Sequence, residues 1–239
     1  MTVGLVLVSH SAKIAEGLAE LAAQMAPSVA LIAAGGTDDG GIGTSFDRVA
    51  AAIGEANSGD GAVILCDLGS AVLTAETALE FLDEDARARV LLVDAPLVEG
   101  AVAAAVAAEG GADVAGVAAA GESARSEPAR APESAPTDRS EPANGADAAP
   151  DTAEVAERAV LRNREGLHAR PAAELVKTAS GFDAAVTVNG VDAKSLLRIM
   201  ALGLTQGAEV EVRATGPQAR QAVEALIGLI RSGFGEADA

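Results

Sequence analysis

The chain has only two histidines, His10 in "VLVSHSAK" and His168 in "GLHARPAAELV", and each lies in a pattern that would position it for chemistry. Imidazole titrates near neutral pH and serves as a nucleophile, a proton carrier or a metal ligand. We expect no metal, because the sequence has no cluster of His, Cys and carboxylate residues with ligand spacing. Both rings are therefore candidate nucleophiles, and no cofactor is predicted.

His10 follows an apolar, β-branched run that predicts a strand. Doubly wound sheets bind ligands at the carboxyl ends of their strands, where this ring would lie. Asp67 ends a later apolar run, and a strand order of 2-1-3-4 would make the two strands neighbours. The carboxylate would then orient the ring and leave one nitrogen more nucleophilic. The competing interpretation is a solvated loop histidine.

His168 precedes an Arg-Pro-Ala-Ala sequence that predicts the start of a helix. Pro171 suits the first helical position, because the N–H that proline lacks has no partner there. His168 would then lie at or just before the N-cap, where exposed amides and the helix dipole attract anions. Arg170 adds a cation with bidentate geometry for phosphate oxygens. The alternative is a histidine that only caps its helix.

Residues 1–120 alternate apolar strands with helices, which predicts an α/β domain with a doubly wound parallel sheet. A Gly-rich loop, "GGTDDGGIGTS", carries paired acids and is interpreted as lining the crevice near His10 rather than binding an ion. The predicted helices cover residues 14–25, 46–56, 72–81 and 98–108.

Residues 121–153 hold five of the nine prolines and no Val, Ile, Leu, Met or Phe, which predicts a disordered linker. Such a linker of about 32 residues has a reach of roughly 30 Å. Residues 154–239 then alternate strands, helices and an Asn-Gly hairpin, which predicts a small α+β domain with helices on one face of an antiparallel sheet.

Composition excludes several classes of function. A net charge of −18 opposes binding to nucleic acid or to an anionic membrane surface. Aromatic residues make up 2% of the chain, without Trp or Tyr, which disfavours base stacking and a sandwiched flavin. Cys66 is the single cysteine, and no apolar stretch reaches the roughly 18 residues of a membrane span. We therefore expect a cytoplasmic protein with neither nucleic-acid nor membrane partners.

Residues 157–235 resemble HPr, the histidine phosphocarrier of the phosphoenolpyruvate-dependent phosphotransferase system. The resemblance rests on "GLHARPAAELV", on "AKSLLRIMALGLTQGAEVEV" and on an amphipathic C-terminal helix. It implies an open-faced sandwich in which enzyme I phosphorylates His168 on its pros nitrogen while Arg170 stabilises the phosphate. Ser195 falls where a regulatory kinase phosphorylates some members of the family. The alternative for Ser195 is an N-cap of a short helix.

Residues 1–119 resemble mannose-type IIA domains and, more closely, the phosphotransfer subunit of phosphoenolpyruvate-dependent dihydroxyacetone kinases. The motifs are "VLVSHSAKIAEGLAELAAQM", "AAGGTDDGGIGTS" and "DLGSAVLTAETALEFL". The resemblance implies that His10 is phosphorylated on its tele nitrogen and that Asp67 orients it. Spacing alone leaves open which nitrogen of either ring carries phosphate.

Together the two resemblances imply a phosphotransferase with phosphohistidine intermediates, a component of a phosphoenolpyruvate–glycerone phosphotransferase. Enzyme I would charge His168, which passes phosphate to His10 and on to ADP on the nucleotide-binding kinase subunit, for use by the dihydroxyacetone-binding subunit. Some relatives append a truncated enzyme I domain that this sequence lacks, so we expect a separate enzyme I. A homodimer through the IIA domain is also implied.

Two alternatives stay open at this point. One is a IIA–HPr fusion that serves a mannose-type sugar-transport phosphotransferase system. The other is a regulatory phosphocarrier whose phosphorylation state controls a transcription factor.

Overall fold

A computed structural model describes residues 2–125 and 154–235 of the chain. The first range folds around a parallel sheet whose strand order is β2-β1-β3-β4, which confirms the predicted order. Every residue of β1 and β3 is buried, because helices cover both faces of the sheet. The four strands are β1 (Gly4–Ser9), β2 (Leu31–Gly35), β3 (Ala62–Cys66) and β4 (Val90–Leu92).

Six helices surround this sheet, and four of them were predicted from the sequence. The third begins at Gly69, three residues before the predicted start. Two short helices were not predicted, and each begins at an aspartate, Asp83 or Asp113, whose side chain caps it. The six are α1 (Ala12–Ala23), α2 (Phe46–Ala56), α3 (Gly69–Glu80), α4 (Glu84–Arg87), α5 (Leu97–Glu109) and α6 (Val114–Glu122).

The first domain extends further than the sequence predicted. The last two residues of α6 and the 3-10 turn Ser123–Arg125 lie within residues 121–153, which were assigned to the linker from the sequence. Close packing against α5 orders this segment. Gly121 is buried, and its carbonyl oxygen would lie only 3.2 Å from a Cβ atom if Gly100 of α5 carried one. The rest of the predicted linker, residues 126–153, lies outside the described residues.

The second range forms an antiparallel sheet of order β5-β8-β6-β7, as the sequence predicted for an α+β domain. Buried and exposed residues alternate along the strands because helices cover one face only. The hairpin turns at Asn189 and Gly190, whose φ values of 47° and 82° suit a two-residue turn. The elements are β5 (Val155–Val160), α7 (Ala169–Ser180), β6 (Ala185–Val188), β7 (Val191–Asp192), α8 (Leu196–Ala201), β8 (Glu209–Thr215) and α9 (Ala219–Ser232).

Within the described ranges, no helix combines the length and the apolar character that a membrane crossing requires.

Candidate phosphoryl-transfer sites

The parallel register of β1 and β3 brings His10 and Asp67 together. Val8 pairs with Cys66, and the Asp67 amide donates to the Val8 carbonyl at 3.2 Å. The next residues of both strands therefore leave the sheet at the same carboxyl edge. This confirms the prediction that the imidazole of His10 and the carboxylate of Asp67 lie next to each other.

Both carboxylate oxygens of Asp67 are used at this edge. Oδ1 lies 2.9 Å from His10 Nδ1, and Oδ2 accepts from the His10 backbone N–H and from the Ser9 hydroxyl, both at 2.8 Å. Burial would raise the pKa of Asp67. The hydrogen bonds from His10, Ser9 and the Leu68 amide outweigh burial, so the pKa lies below its ordinary value. An ionised Asp67 holds the ring proton on Nδ1.

The other ring nitrogen of His10 faces a residue that the sequence analysis missed. Nε2 lies 2.6 Å from the Ser70 hydroxyl. With the ring proton on Nδ1, Nε2 is the unprotonated nitrogen, and its one lone pair accepts this hydrogen bond. The side chain of His10 is 20% exposed. Of the two ring nitrogens, Nε2 is therefore the one whose lone pair could act as a nucleophile.

Ser70 belongs to the first turn of α3, so the N-terminus of this helix lies beside His10. The first hydrogen bonds of the helix run from Ala71 and Val72 to the Leu68 carbonyl, so the amides of Gly69 and Ser70 precede the ladder. Such amides and the helix dipole favour a phosphate. The helix start was predicted at Val72; the signal for the earlier start was the Gly69-Ser70 pair, which begins three residues after the end of β3.

The Gly-rich loop is fastened to the same site. The Gly43 amide donates to the His10 carbonyl at 2.9 Å, and the hydroxyls of Thr44 and Thr74 lie 2.9 Å apart, which links the loop to α3. Asp39 is engaged within the loop, since hydrogen bonds from Thr37 and then from the Gly41 amide lower its pKa. Among the described residues, no group of three or more His, Cys or acidic side chains could hold a metal ion.

A cation that was not predicted also lies at this edge of the sheet. Arg48, in the first turn of α2, donates to the Gly35 carbonyl at 3.2 Å and lies 3.5 Å from Asp38 of the loop. It offsets part of the acidic charge of the loop.

His168 occupies the N-cap of α7, as predicted, and is half-buried. Its carbonyl accepts from the Ala172 amide at 2.9 Å, which begins the helical ladder. Helix α7 begins at Ala169, so Pro171 is the third helical residue and not the first as predicted. Proline at the third position removes no helical hydrogen bond, because a backbone amide at this position also lacks an intrahelical acceptor. The Leu167 amide anchors the preceding loop to the Leu204 carbonyl at 2.8 Å.

The other predicted residues of this domain, Arg170 and Ser195, line two different clefts. Arg170 is exposed on the first turn of α7 and lines a cleft with Gln24 and Met25 of the first domain. Ser195 occupies the N-cap of α8 but makes no capping hydrogen bond with its side chain. The structure thus unites His10 with Asp67 in one site, and places Arg170 two residues from His168 in another.

The sequence matches two family models in the same order as the two domains. One, described as the PTS system fructose IIA component, covers residues 4–118, and the other, the PTS HPr component phosphorylation site, covers residues 155–232.

Three of the relatives that match this chain are 35–48% identical to it. All are phosphoryl donor subunits DhaM of PEP-dependent dihydroxyacetone kinases. The proteins of Escherichia coli K12 (38%) and Providencia stuartii (35%) match over 99% and 98% of this chain, but over only 51% and 50% of their own lengths. The chain thus spans about half the length of these two relatives. A Listeria innocua protein is 48% identical over 44% of this chain and 84% of its own length. The chain belongs to the family of phosphoryl donor subunits of phosphoenolpyruvate-dependent dihydroxyacetone kinases.

Proposed function

We propose that this protein relays phosphoryl groups from enzyme I through His168 to His10, and from there to ADP on the nucleotide-binding subunit of a dihydroxyacetone kinase. The main support for the proposal is the hydrogen bond between His10 Nδ1 and Asp67. It leaves Nε2 directed at the start of α3. This is the tele nitrogen, and the geometry supports it as the phosphorylated atom. The names of the relatives support the kinase as the destination.

The transfer to His10 is an in-line displacement. The lone pair of Nε2 forms the new N–P bond while the N–P bond to the departing imidazole breaks, and the electron pair of the broken bond stays with the departing ring. The Nδ1 proton stays on His10, so the phosphorylated ring carries a positive charge. Asp67 stabilises that charge, while the amides of Gly69 and Ser70 face the phosphate oxygens.

His168 suits the receiving role because it lies at the start of a helix. The amides of Ala169 and Arg170 precede the ladder of α7 and would hold phosphate oxygens, and the guanidinium of Arg170 would add charge. The resemblance assigns its pros nitrogen. The proposal includes a homodimer through the first domain, which the exposed edge-to-face pair of Phe46 and Phe81 supports, since burial of such rings is favourable.

Replacing Ser70 with alanine should slow transfer from His168 to His10 by about tenfold, because the hydrogen bond to Nε2 and then to the phosphate is lost. Quench-flow measurement of label on each histidine gives the rate. Thr77→Ala is the matched control, since Thr77 lies on the same helix and bonds only the Leu73 carbonyl among the contacts described. Equal rates for the two variants would remove Ser70 from the site.

Reconstitution tests the function as a whole. Enzyme I, phosphoenolpyruvate, this protein and the two kinase subunits should together convert dihydroxyacetone to its phosphate, followed by a coupled glycerol-phosphate dehydrogenase assay. Omission of this protein, or its replacement by the His10→Ala variant, should stop the reaction. Transfer of label to a sugar permease without formation of dihydroxyacetone phosphate would instead support the transport alternative.

A further inference from the structure

The second domain packs on the first through a stripe of small residues. Helix α5 contacts α7 and α8. Ala103, Val106 and Ala107 of α5 line one cleft together with Val176 and Ser195 of the second domain.

Further along the same face of α5, Gly110 directly follows the helix. A Cβ at Gly110 would lie 3.4 Å from the Ser180 Cβ at the end of α7. Positions 103, 106, 107 and 110 follow helical spacing, so one face of α5 is committed to this contact.

The composition of α5 independently requires a cover for this face. From Gly100 to Ala108 the helix has no polar or charged side chain, and its buried residues are found all round the helix. A helix that is apolar on every side must be covered on every side. Within the first domain, α5 contacts α1, α6 and the strands β1 and β3. The second domain covers the side that these elements leave open.

An ion pair fixes the orientation of the docked domain. Lys177 Nζ of α7 lies 2.6 Å from Glu109 Oε1 at the end of α5, and the Ser28 amide donates to Glu109 Oε2 at 2.9 Å. The Glu109 side chain is only 3% exposed. Burial would raise its pKa, but the hydrogen bonds from Lys177 and Ser28 lower it overall, so Glu109 is charged at neutral pH.

The docked position places the two histidines at opposite edges of the parallel sheet. His10 follows β1 at the carboxyl edge, whereas Gln24, after α1, lies at the amino edge. Arg170, two residues after His168, shares its cleft with Gln24. Helix α1 alone separates the edges by about 18 Å. An in-line transfer needs reacting atoms about 3–3.5 Å apart, so the docked His168 cannot reach His10 of the same chain.

We propose that the docked arrangement is a resting state, and that the second domain must leave α5 before it passes phosphate to His10 of the same chain. This inference rests on the proposed relay. It makes delivery of phosphate to His10 depend on undocking of the second domain from α5.

A disulfide across the contact tests the docking. The variant Gly110→Cys/Ser180→Cys should cross-link within one chain under mild oxidation, since the separation of the Cβ atoms is close to that of a disulfide. The native Cys66 does not compete, because it is buried and burial raises its pKa to about 12. The matched control, Gly110→Cys/Val160→Cys, puts the second thiol on the open face of the sheet and should not cross-link. Equal cross-linking of both variants would overturn the docking.

The cross-linked protein tests the resting state. Within one cross-linked chain, the rate of phosphate transfer from His168 to His10 should fall about a hundredfold or more. The reason is that a tethered group has a high effective concentration only if it can reach its partner in the correct geometry. A reductant should restore the rate. An unchanged rate in the oxidised protein would overturn the inference while leaving the relay intact. Failure of transfer in the reduced protein as well would overturn the proposed function, and the inference with it.

A charge reversal provides a second test without oxidation. Lys177→Glu places two carboxylates together at Glu109 and should slow cross-linking of the Gly110→Cys/Ser180→Cys protein by about tenfold, since like charges oppose docking. Arg220→Glu, an exposed charge reversal on α9, is the control and should have no effect. Equal cross-linking rates in the two proteins would count against the docked arrangement.

Discussion

Replacement of His168 by alanine should abolish the labelling of this protein by enzyme I and radioactive phosphoenolpyruvate, whereas His10→Ala should take up label that stays on His168. The reason is the chemistry of a relay: each site needs its own ring nitrogen to form an N–P bond, and no other side chain substitutes for it. Acid-labile label, separated by proteolysis between the two domains, measures the occupancy of each histidine. Label on His10 in the His168→Ala protein would contradict the proposed order.

A mixture of the two variants sharpens this experiment. Each protein alone should fail to deliver phosphate, but the mixture should transfer label from His168 of one chain to His10 of the other. This transfer should rise with protein concentration, whereas transfer within a single wild-type chain should not. If the mixture stays inactive at all concentrations, then one of the substitutions has damaged more than its own site.

Asp67→Asn should reduce transfer into His10 by roughly 10²–10⁴-fold and leave the charging of His168 unchanged. Asparagine is nearly isosteric with aspartate, but its amide can donate to Nδ1. The ring proton then moves to Nε2, which removes the lone pair that attacks phosphorus. Rapid-quench kinetics of both histidines measures the effect. Asp94→Asn, an exposed aspartate paired with Arg125 in the same domain, is the control and should transfer normally.

The same substitution has an expected signature in stability against pH. The pKa of Asp67 is lowered in the folded protein, so its contribution to stability is complete above the ordinary carboxyl value of about 3.9 and is lost as the pH falls through the lower folded value. The stability advantage of the wild type over Asp67→Asn should therefore shrink as the pH falls below about 4. Urea unfolding between pH 3 and 7 measures it. A constant difference would mean that Asp67 is not ionised in the native site.

The parts of the fold that were predictable from sequence are those with a strong local pattern. The apolar runs before His10 and Asp67 marked two strands, and their order followed from the rules for parallel sheets. Asn189-Gly190 marked its turn, and the sequence after His168 marked a helix start. These features are determined by residues that are close together in the sequence, so they can be predicted from it directly.

Other features depend on where an element begins or on what covers it. Ser70 was missed because the start of α3 was placed three residues late. Arg48 was missed because it lies on α2, whereas its acceptor Gly35 lies on β2. Helix α6 is rich in alanine and glycine on all sides, so it lacks the periodic contrast that identifies an amphipathic helix. The contact between α5 and α7 involves two domains, and no local pattern specifies the partner of an apolar face.

The hydrogen bond from the Gly43 amide to the His10 carbonyl has a consequence for which changes the chain can tolerate. Gly43 has a φ of 147°, and a Cβ there would lie 2.7 Å from Thr37 Cγ2, so a substitution would strain the backbone that supports His10. Residues 38–42 at the tip of the loop are exposed. Evolution or an engineer can therefore vary Ile42 at the tip, which is 79% exposed, while the glycine at the base of the loop stays fixed.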